Sequence, residues 1–332
     1  MGWFTSFLYS QFFVTLPIPT HDFTGQTIIV TGSNTGLGLE AARHLSRLNT
    51  TLLILAVRNQ AKGKAAKESI LASTGRPESS IEVWDLDMQL YESIKSFCDK
   101  VNTLPRLDAV VANAGIMTKY FKEVEGYEST ITTNVIGTFL LAFGLLPKLK
   151  QSAKKYKMQP RFSIVASDLH FIAKFTEGQE KDIFAALNDE KTSQLGMERY
   201  AVSKLIQVFG ARELAHRLAR DSDSISPAVI VNCMTPGACQ SEFHRENVGI
   251  EKLTSWIIMS TIISRTTEVG GRALVASVAA GEESHGSYMA DCVVSEVGPL
   301  VQGSEGRELQ KKVWDQLLRQ LETIQPGITS EV

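Results

Sequence analysis

The strongest constraint on the fold is an alternation of short apolar runs with longer amphipathic stretches, which begins near residue 26. Runs rich in β-branched and apolar residues predict strands at 26–32, 51–57, 81–87, 107–115, 161–167 and 227–237. The stretches between them, such as 36–48 and 125–150, carry apolar residues at helical spacing. Strands that alternate with helices predict a parallel sheet covered on both faces. We therefore expect an α/β fold with a doubly wound parallel sheet.

The composition narrows the class of protein. The 332 residues are 43% hydrophobic and 21% charged, with a net charge of −2 and no basic blocks, which is typical of a soluble globular protein and not of a nucleic-acid binder. The four cysteines form no C-x-x-C pair, and the histidines form no H-E-x-x-H pattern. We expect free thiols in a reducing compartment such as the cytoplasm, and no metal site. No linker divides residues 25–332, which we interpret as one domain.

The first residues are unlike the rest of the chain. From Trp3 to Pro17 there is no charged side chain and there are many aromatic ones. The segment is shorter than the roughly 20 residues of a membrane-spanning helix, and it lacks the basic start and cleavage site of a secretory signal. We expect residues 1–24 to form an apolar arm, helical or extended, that packs on the domain. Contact of residues 3–17 with a membrane surface is the alternative.

A glycine-rich turn follows the first predicted strand. The sequence T-G-S-N-T-G-L-G (31–38) stands between an apolar strand and a helix, where glycines permit a tight turn and let a pyrophosphate approach the backbone. This context at the first crossover predicts a dinucleotide site on a Rossmann-type sheet. The residues predicted to contact the cofactor here are Gly32, Asn34, Thr35, Gly36, Leu37 and Gly38.

The ends of the next strands extend this site. Arg58 stands where NAD-binding chains normally have a carboxylate, and a guanidinium suits a 2′-phosphate, which favours NADP(H); a solvated surface arginine is the alternative. Asp87 is placed to accept a hydrogen bond from the adenine amino group, although an aspartate that only forms a turn would look the same. Its neighbour Met88 belongs to the same predicted surface. Asn113-Ala114-Gly115 ends the fourth strand with small residues, so its backbone can pass close to the cofactor.

A possible acid–base pair lies further along the chain. Tyr200 and Lys204 are four residues apart near a helix start and therefore share one face. A nearby ammonium favours the phenolate, which brings proton transfer by tyrosine into range, and both side chains also lie where they would contact the cofactor. Ser167 ends the fifth strand, where its hydroxyl can stabilise a carbonyl oxygen. Asn134 lies inside a long helix, which is unfavourable and indicates a bound water or a kink.

Together these motifs resemble the short-chain dehydrogenase/reductase family, from about Gly25 to Cys292. The matching elements are T-G-x-x-x-G-x-G at 31–38, N-A-G at 113–115, the helix Asn134, the set Ser167, Tyr200 and Lys204, and the P-G turn at Pro236-Gly237. The resemblance places Ser241 beside the nicotinamide carboxamide, and Pro236 and Gly237 with it in the cofactor site. It implies a sheet of about seven strands, hydride transfer at the nicotinamide, and a homodimer paired through the two long helices.

Within the family the chain looks most like the retinol-dehydrogenase and WW-domain-oxidoreductase branch. The stretches A-V-R-N after the second strand and G-S-Y-M-A-D-C at 286–292 carry this likeness. The uncharged arm and the long segment Asp168 to Arg199 resemble members from fungal natural-product pathways. Two departures stand out: Ala166 replaces a second serine that many members have, and the distance from Ser167 to Tyr200 is longer than usual. Because of the second departure, the resemblance does not predict the shape of the substrate pocket.

The expected activity is NADP(H)-dependent interconversion of a carbonyl and an alcohol on an apolar small molecule. The apolar run near residues 255–263 predicts a substrate lid at about 247–264, or else a surface buried against the core or a partner subunit. The segment 168–199 is a second candidate for a lid. Two other functions stay open: a redox-neutral isomerase or cyclase that uses the same tyrosine, and a noncatalytic scaffold or sensor that binds NADP(H).

Overall fold

A computed structural model of the chain describes residues 2–220, 228–240 and 264–332. Within these residues eight strands form one sheet, and two short strands form a separate hairpin. The sheet contains β1 (Thr27–Thr31), β2 (Leu52–Val57), β3 (Ile81–Asp85), β4 (Ala109–Ala112), β7 (Arg161–Val165), β8 (Ile230–Met234), β9 (Tyr288–Ala290) and β10 (Val293–Ser295). The hairpin contains β5 (Glu123–Val124) and β6 (Tyr127–Glu128).

Helices connect the strands and cover both faces of the sheet. They are α1 (Trp3–Phe13), α2 (Gly36–Arg47), α3 (Gln60–Thr74), α4 (Tyr91–Asn102), α5 (Ser129–Tyr156), α6 (Ile183–Leu187), α7 (Met197–Arg220), α8 (Thr267–Ala279) and α9 (Gly303–Ile324). Helix α5 contains a π-helical segment at Thr132–Gly137. Helices α2, α3 and α8 pack on one face of the sheet, and α4, α5, α7 and α9 pack on the other.

The strand order confirms the predicted doubly wound α/β fold. It runs β10-β9-β8-β7-β4-β1-β2-β3, and all neighbours are parallel except β9 and β10. The resemblance implied about seven strands, and the eighth, β10, is a short antiparallel strand at the edge. Strands β1, β2 and β3 lie on one side of the boundary between β1 and β4, and the strands from β4 onward lie on the other. A crevice therefore opens at this boundary, at the carboxyl ends of the strands. The predicted site residues follow these ends.

The C-terminal helix covers the two longest helices. Trp314 of α9 is buried and packs edge-on against Phe139 of α5, with ring centroids 6.4 Å apart. On the α7 side, Gln310 donates a hydrogen bond to Glu213 at 2.9 Å. The face of α5 and α7 through which the resemblance implied pairing is therefore occupied in part by the chain itself. Helix α5 is long and apolar enough to span a membrane, but 94% of its apolar window is buried, as in the core helix of a folded domain.

The segment between β7 and α7 has two parts with different environments. Its first residues, Asp168–Phe171, form a 3-10 turn next to Ser167. Its middle packs on α9, where the Ile183 backbone N–H donates to Gln316 at 2.8 Å, and α6 buries Ile183, Phe184 and Leu187. The expectation of a lid is therefore wrong for the middle of this segment, because its apolar residues are fixed against the C-terminal helix. The predicted lid at 247–264 lies outside the described residues except for Ser264.

Candidate active site

The glycine turn forms one wall of a cavity of about 340 Å³. Gly32 and Gly36 have φ angles of +64° and +58°, which favour glycine. A Cβ on Gly38 would come within 2.5 Å of the Asn113 side chain and 2.6 Å of the Gly32 carbonyl oxygen. The start of α2 therefore lies against the turn, with no acidic residue in its first turn to satisfy the free N–H groups. Such a helix start suits the pyrophosphate of a dinucleotide.

Every residue predicted to contact the cofactor around β1 to β4 lines this one cavity. They are Gly32, Asn34, Thr35, Gly36, Leu37, Gly38, Arg58, Asp87, Met88, Asn113, Ala114 and Gly115. Asn113 also has a structural part: its side-chain amide donates to the Thr31 carbonyl oxygen at 2.9 Å, and its backbone N–H donates to the Thr31 hydroxyl at 3.0 Å. These bonds fix the end of β4 to the glycine turn.

The far end of the cavity is basic. The Arg58 guanidinium is 60% exposed and lies 3.9 Å from the Asp87 carboxylate. Lys62 also lines the cavity, one helical turn further on, in the first turn of α3. Asp87 accepts a hydrogen bond from the Gln89 backbone N–H at 3.0 Å, which is the turn-forming role that the sequence left as an alternative. This bond uses only one of the two carboxylate oxygens. Two cations at this end suit a group with two negative charges.

The catalytic candidates converge at the other end of the crevice. The hydroxyl groups of Tyr200 and Ser167 are hydrogen-bonded to each other, and both side chains are partly exposed. The Lys204 ammonium lies 5.2 Å from the centre of the Tyr200 ring. Burial raises the pKa of Tyr200 above its usual range. The phenol therefore holds its proton at neutral pH, as a proton donor must.

Lys204 joins this group to the cavity. Its ammonium donates to the Val165 carbonyl oxygen at 2.6 Å and to the Gln207 side chain at 2.9 Å. Burial lowers the pKa of Lys204 to about 7. A Cβ on Gly115 would lie 3.7 Å from the Lys204 nitrogen. Because Gly115 lines the cavity, the catalytic group and the predicted cofactor site are continuous.

Asn134 lies in the π-helical segment, so the helix is irregular at the position where the sequence indicated a bound water or a kink. Its side-chain oxygen accepts from the Ile116 backbone N–H at 2.8 Å, and its amide donates to the Ile116 carbonyl oxygen at 2.9 Å and to the Ser203 hydroxyl at 3.0 Å. Its own carbonyl oxygen accepts from the Gln207 amide at 2.6 Å. Asn134 thus connects the loop after β4 to α7, next to Lys204.

The backbone at Ser167 is held from two directions. The His170 ring donates from Nδ1 to the Ser167 carbonyl oxygen at 2.7 Å and accepts at Nε2 from the Gly298 backbone N–H at 2.9 Å. This pattern requires a neutral imidazole, and burial lowers the pKa of His170 to about 4. Asp168 accepts from the Tyr288 hydroxyl at 2.8 Å and from the Thr235 hydroxyl at 3.1 Å.

The turn after β8 completes the described part of the substrate side. Thr235 accepts a hydrogen bond from the Gly237 backbone N–H at 3.1 Å, which links this turn to Asp168. The Pro236 carbonyl oxygen accepts from the Arg265 guanidinium at 3.3 Å. Pro236 and Gly237 therefore lie at the end of the strand next to that of Ser167, but they do not line the cavity walled by the glycine turn, and their contact with the cofactor stays a prediction. Ser241 lies outside the described residues.

A buried ion group fixes the start of α7. The Arg199 guanidinium is 1% exposed and lies 3.3 Å from the Glu177 carboxylate and 3.9 Å from that of Glu128. It also donates to the Ser193 hydroxyl at 3.0 Å. Because Arg199 precedes Tyr200 directly, this group sets where the catalytic helix begins.

Several of these residues were not predicted from the sequence. Lys62 could have been found, because it follows Arg58 by four residues at a helix start. The supporting residues His170, Tyr288 and Arg199 had no such signal, because their partners Gly298, Asp168 and Glu128 are distant in sequence or belong to no motif.

The fold and site define a dinucleotide-binding α/β protein with a tyrosine, a lysine and a serine at the strand ends. The sequence profile described as short chain dehydrogenase matches residues 26–155. The chain is 43% identical over 328 residues to short chain dehydrogenase/reductase dmxR8 of Cryptosporiopsis sp. (strain 8999), covering 98% of this chain and 99% of that protein. It is 45% identical over 325 residues to short-chain dehydrogenase anuD of Penicillium roqueforti, covering 97% and 84%. The chain belongs to the short-chain dehydrogenase/reductase family, which confirms the resemblance.

Solved structures share the fold at lower identity. The Pseudomonas aeruginosa RhlG/NADP active-site complex has a TM-score of 0.61 at 19% identity, covering 82% of this chain and 96% of that one. A short-chain dehydrogenase from Sphingobium yanoikuyae in complex with NADPH has a TM-score of 0.56 at 18% identity, covering 75% and 82%. These likenesses support the Rossmann-type architecture.

Proposed function

We propose that this chain is an NADP(H)-dependent reductase of an apolar ketone or aldehyde, working through Tyr200, Lys204 and Ser167. The observation that carries the proposal is the continuity of two groups at one edge of the sheet. The cavity walled by the glycine turn meets the Tyr200–Ser167 pair through Gly115, against which Lys204 and Asn134 both lie.

The geometry gives each residue a step in the reductive direction. When bound, a reduced nicotinamide would supply the hydride for the carbonyl carbon, and the residues of the chain do the rest. The Ser167 hydroxyl donates a hydrogen bond to the carbonyl oxygen as negative charge develops there. Tyr200 then transfers its phenolic proton to that oxygen, which completes the alcohol and leaves a phenolate. Lys204, in its protonated form, stabilises that phenolate, and the phenolate in turn favours the protonated lysine, while Asn134 holds the loop and helix at their separation.

The choice of cofactor follows from the basic end of the cavity. Arg58 and Lys62 line it where the ribose of the adenosine half would lie, and a 2′-phosphate would satisfy both cations. The cofactors named for the two structural neighbours, NADP and NADPH, support the same choice. NADH would leave the two cations without that partner.

Substrate class is proposed from the chemistry around Ser167. The His170 and Phe171 rings lie 4.4 Å apart, and both lie near Tyr288, so the turn that follows Ser167 carries an aromatic group. His170 and Tyr288 are buried, so within this group the partly exposed Phe171 is the ring that can contact a hydrophobic small molecule. The fungal sources of the two relatives support a secondary metabolite as the substrate. Contact of residues 3–17 with a membrane surface would suit an apolar substrate, which partitions into lipid, but it does not depend on the reductase activity.

The proposed partners do not include a dimer mate on α5 and α7. Because Trp314 and the rest of α9 pack there, we propose that the chain does not pair through those helices. Light scattering after size exclusion, with wild type and a surface variant of α7, tests this. A dimer disrupted by Arg217→Glu, a half-buried position on α7, would contradict it.

Turnover of NADPH with a panel of apolar ketones and aldehydes tests the function. We expect at least one compound to consume NADPH, and Tyr200→Phe to lower kcat by about 10²- to 10⁴-fold with unchanged NADPH affinity. Tyr156→Phe is the matched control, since the Tyr156 hydroxyl lies at the exposed end of α5, where it donates to the Pro105 carbonyl oxygen at 3.1 Å. Tight NADPH binding without turnover of any compound would favour the redox-neutral or noncatalytic alternatives. An unchanged rate in Tyr200→Phe would remove Tyr200 from its role.

A further inference from the structure

The second half of helix α1 directs polar side chains toward the protein and aromatic side chains toward solvent. Ser10 faces the protein, where its hydroxyl donates to the Asp291 carboxylate at 2.7 Å. Gln11 also faces it, and a Cβ on Gly237 would come within 2.4 Å of the Gln11 amide nitrogen. Phe12 and Phe13 instead face outward, 49% and 75% exposed. A surface helix of a globular protein normally places its apolar side chains inward.

Specific contacts hold α1 in this orientation. The Arg265 guanidinium is buried and donates to the Ser10 carbonyl oxygen at 2.9 Å, while it forms an ion pair with Asp291 at 2.7 Å. At the other end of the helix, the Trp3 ring stacks on Phe171 with centroids 6.2 Å apart and planes at 23°. The outward position of the aromatic side chains is therefore imposed by bonds on the opposite side.

The outward aromatic residues belong to a larger apolar surface, the arm patch. It comprises Phe4, Tyr9, Phe12, Phe13 and Ile18, which are 49–75% exposed. Two further exposed apolar residues adjoin positions that α1 contacts. Ile172 directly follows Phe171, on which Trp3 stacks, and Val293 is two residues after Asp291, to which Ser10 bonds. A patch of this size on a folded domain normally binds something.

We propose that the arm patch seats the protein on the surface of an uncharged or zwitterionic lipid bilayer. Residues 2–20 contain no Lys, Arg, Asp or Glu, so the patch offers no charge to an acidic or basic partner. Trp and Tyr are the side chains enriched at the level of lipid headgroups. A second copy of the chain fits less well. The exposed aromatic side chains of α1 offer about 500 Å² per copy, against the roughly 800 Å² that each partner of a stable complex buries.

The position of α1 gives this contact a consequence for the site. The helix lies between Phe171, which follows β7, and the Gly237 turn, which follows β8. These are the strand ends where Ser167 lies. A bilayer under the arm patch would therefore lie beside the substrate side, and an apolar carbonyl compound could enter from lipid. This last step rests on the proposed function, whereas the lipid contact does not.

Sedimentation of the full chain with phosphatidylcholine vesicles tests the proposal. We expect wild type to sediment with vesicles and Phe12→Asp/Phe13→Asp to partition about tenfold or more weakly. Leu90→Asp is the charge control, because it adds one of the double variant's two negative charges at an exposed apolar position at the start of α4, where aspartate is a favourable N-cap. Thermal unfolding and NADPH affinity should be alike in all three proteins, since these side chains are exposed.

The outcomes separate the lipid contact from the enzyme function. Wild type that stays in the supernatant, or a double variant that sediments equally well, overturns the proposal. A dimer in light scattering that the double variant loses, without vesicle binding, assigns the patch to a second copy and also overturns it. Vesicles should lower the apparent KM for an apolar ketone carried in them for wild type but not for the double variant. Vesicle binding as expected, together with no ketone turnover at all, would refute only the reductase.

Discussion

The ends of β1 to β4 and the ends of β7 to β9 form two halves of one site, and they are built differently. The cofactor half consists of a glycine turn, strand ends and a helix start, each recognisable from a short stretch of sequence, and bonds such as that between Asn113 and Thr31 join them across adjacent strands. The substrate half depends on side chains from distant segments. His170 bonds to Gly298, and Arg265 bonds to Ser10. The cofactor half therefore carries local sequence signals, whereas the substrate half depends on contacts between side chains that are distant in sequence.

The largest effect should come from removing the buried cation of the substrate half. Arg199→Leu would leave Glu128 and Glu177 buried without their partner, so the free energy of unfolding should fall by about 3–5 kcal/mol. Urea unfolding checks this, with the exposed Arg319→Leu as the control, expected within about 0.5 kcal/mol of wild type. Equal effects in both variants would mean that the ion group does not hold the start of α7.

Acid should weaken the substrate half through His170. Its pKa is about 4 in the folded protein against 6.5 when unfolded. Between these values the unfolded chain binds more protons, so this contribution to stability is complete above pH 6.5 and is lost as the pH falls toward 4. The loss should reach about 3 kcal/mol.

His170→Gln isolates this contribution. Its free energy of unfolding should fall less steeply than that of wild type between pH 6.5 and 4, while the exposed His216→Gln should follow wild type. Asp168, whose pKa burial raises, acts in the opposite direction but is present in all three proteins. Parallel curves for wild type and His170→Gln would show that the imidazole is not held neutral.

A single methyl group should disturb the cofactor half. In Gly38→Ala the new Cβ meets the Gly32 carbonyl oxygen and the Asn113 amide, so either the turn or the helix must move. We expect a loss of about 1–3 kcal/mol of stability and weaker NADPH binding. Calorimetric titration checks the binding, and Gly2→Ala, which meets open space, is the control. Unchanged NADPH affinity would place the dinucleotide elsewhere.

The smallest effect concerns the choice between the two cofactors. Arg58→Ala should weaken NADPH binding by about 10- to 100-fold, the value of a charged hydrogen bond, and change NADH binding little. Lys62→Ala should act in the same direction, because both cations line the same end of the cavity. Equal losses for NADPH and NADH would refute contact with a 2′-phosphate.

The same contrast explains how much the sequence could predict. The strands β1 to β4, the glycine turn and the Tyr200–Lys204 pair were all predicted, because β-branched runs, positive φ angles and helical spacing are local properties. The cavity residues predicted from the sequence were found together. Asp87 shows the limit of this approach: its turn-forming bond to Gln89 and its place in the cavity occur together, although the sequence offered them as alternatives.

The rest depends on tertiary contacts that no local pattern records. The edge strand β10 follows a turn in which Asp291 and Cys292 have positive φ angles, which favours glycine and so gave no signal. The segment after Ser167 is polar in sequence, yet α6 within it packs on α9. The inward position of Ser10 depends on Arg265, 255 residues away.

A crystal structure of the protein with NADP⁺ and an apolar ketone tests the central claim most directly. The account predicts the adenosine 2′-phosphate beside Arg58 and Lys62, the pyrophosphate at the start of α2, and the ketone oxygen within hydrogen-bond distance of both the Tyr200 and Ser167 hydroxyls. A dinucleotide bound away from the glycine turn, or a Tyr200 hydroxyl directed away from the nicotinamide ring, would contradict it.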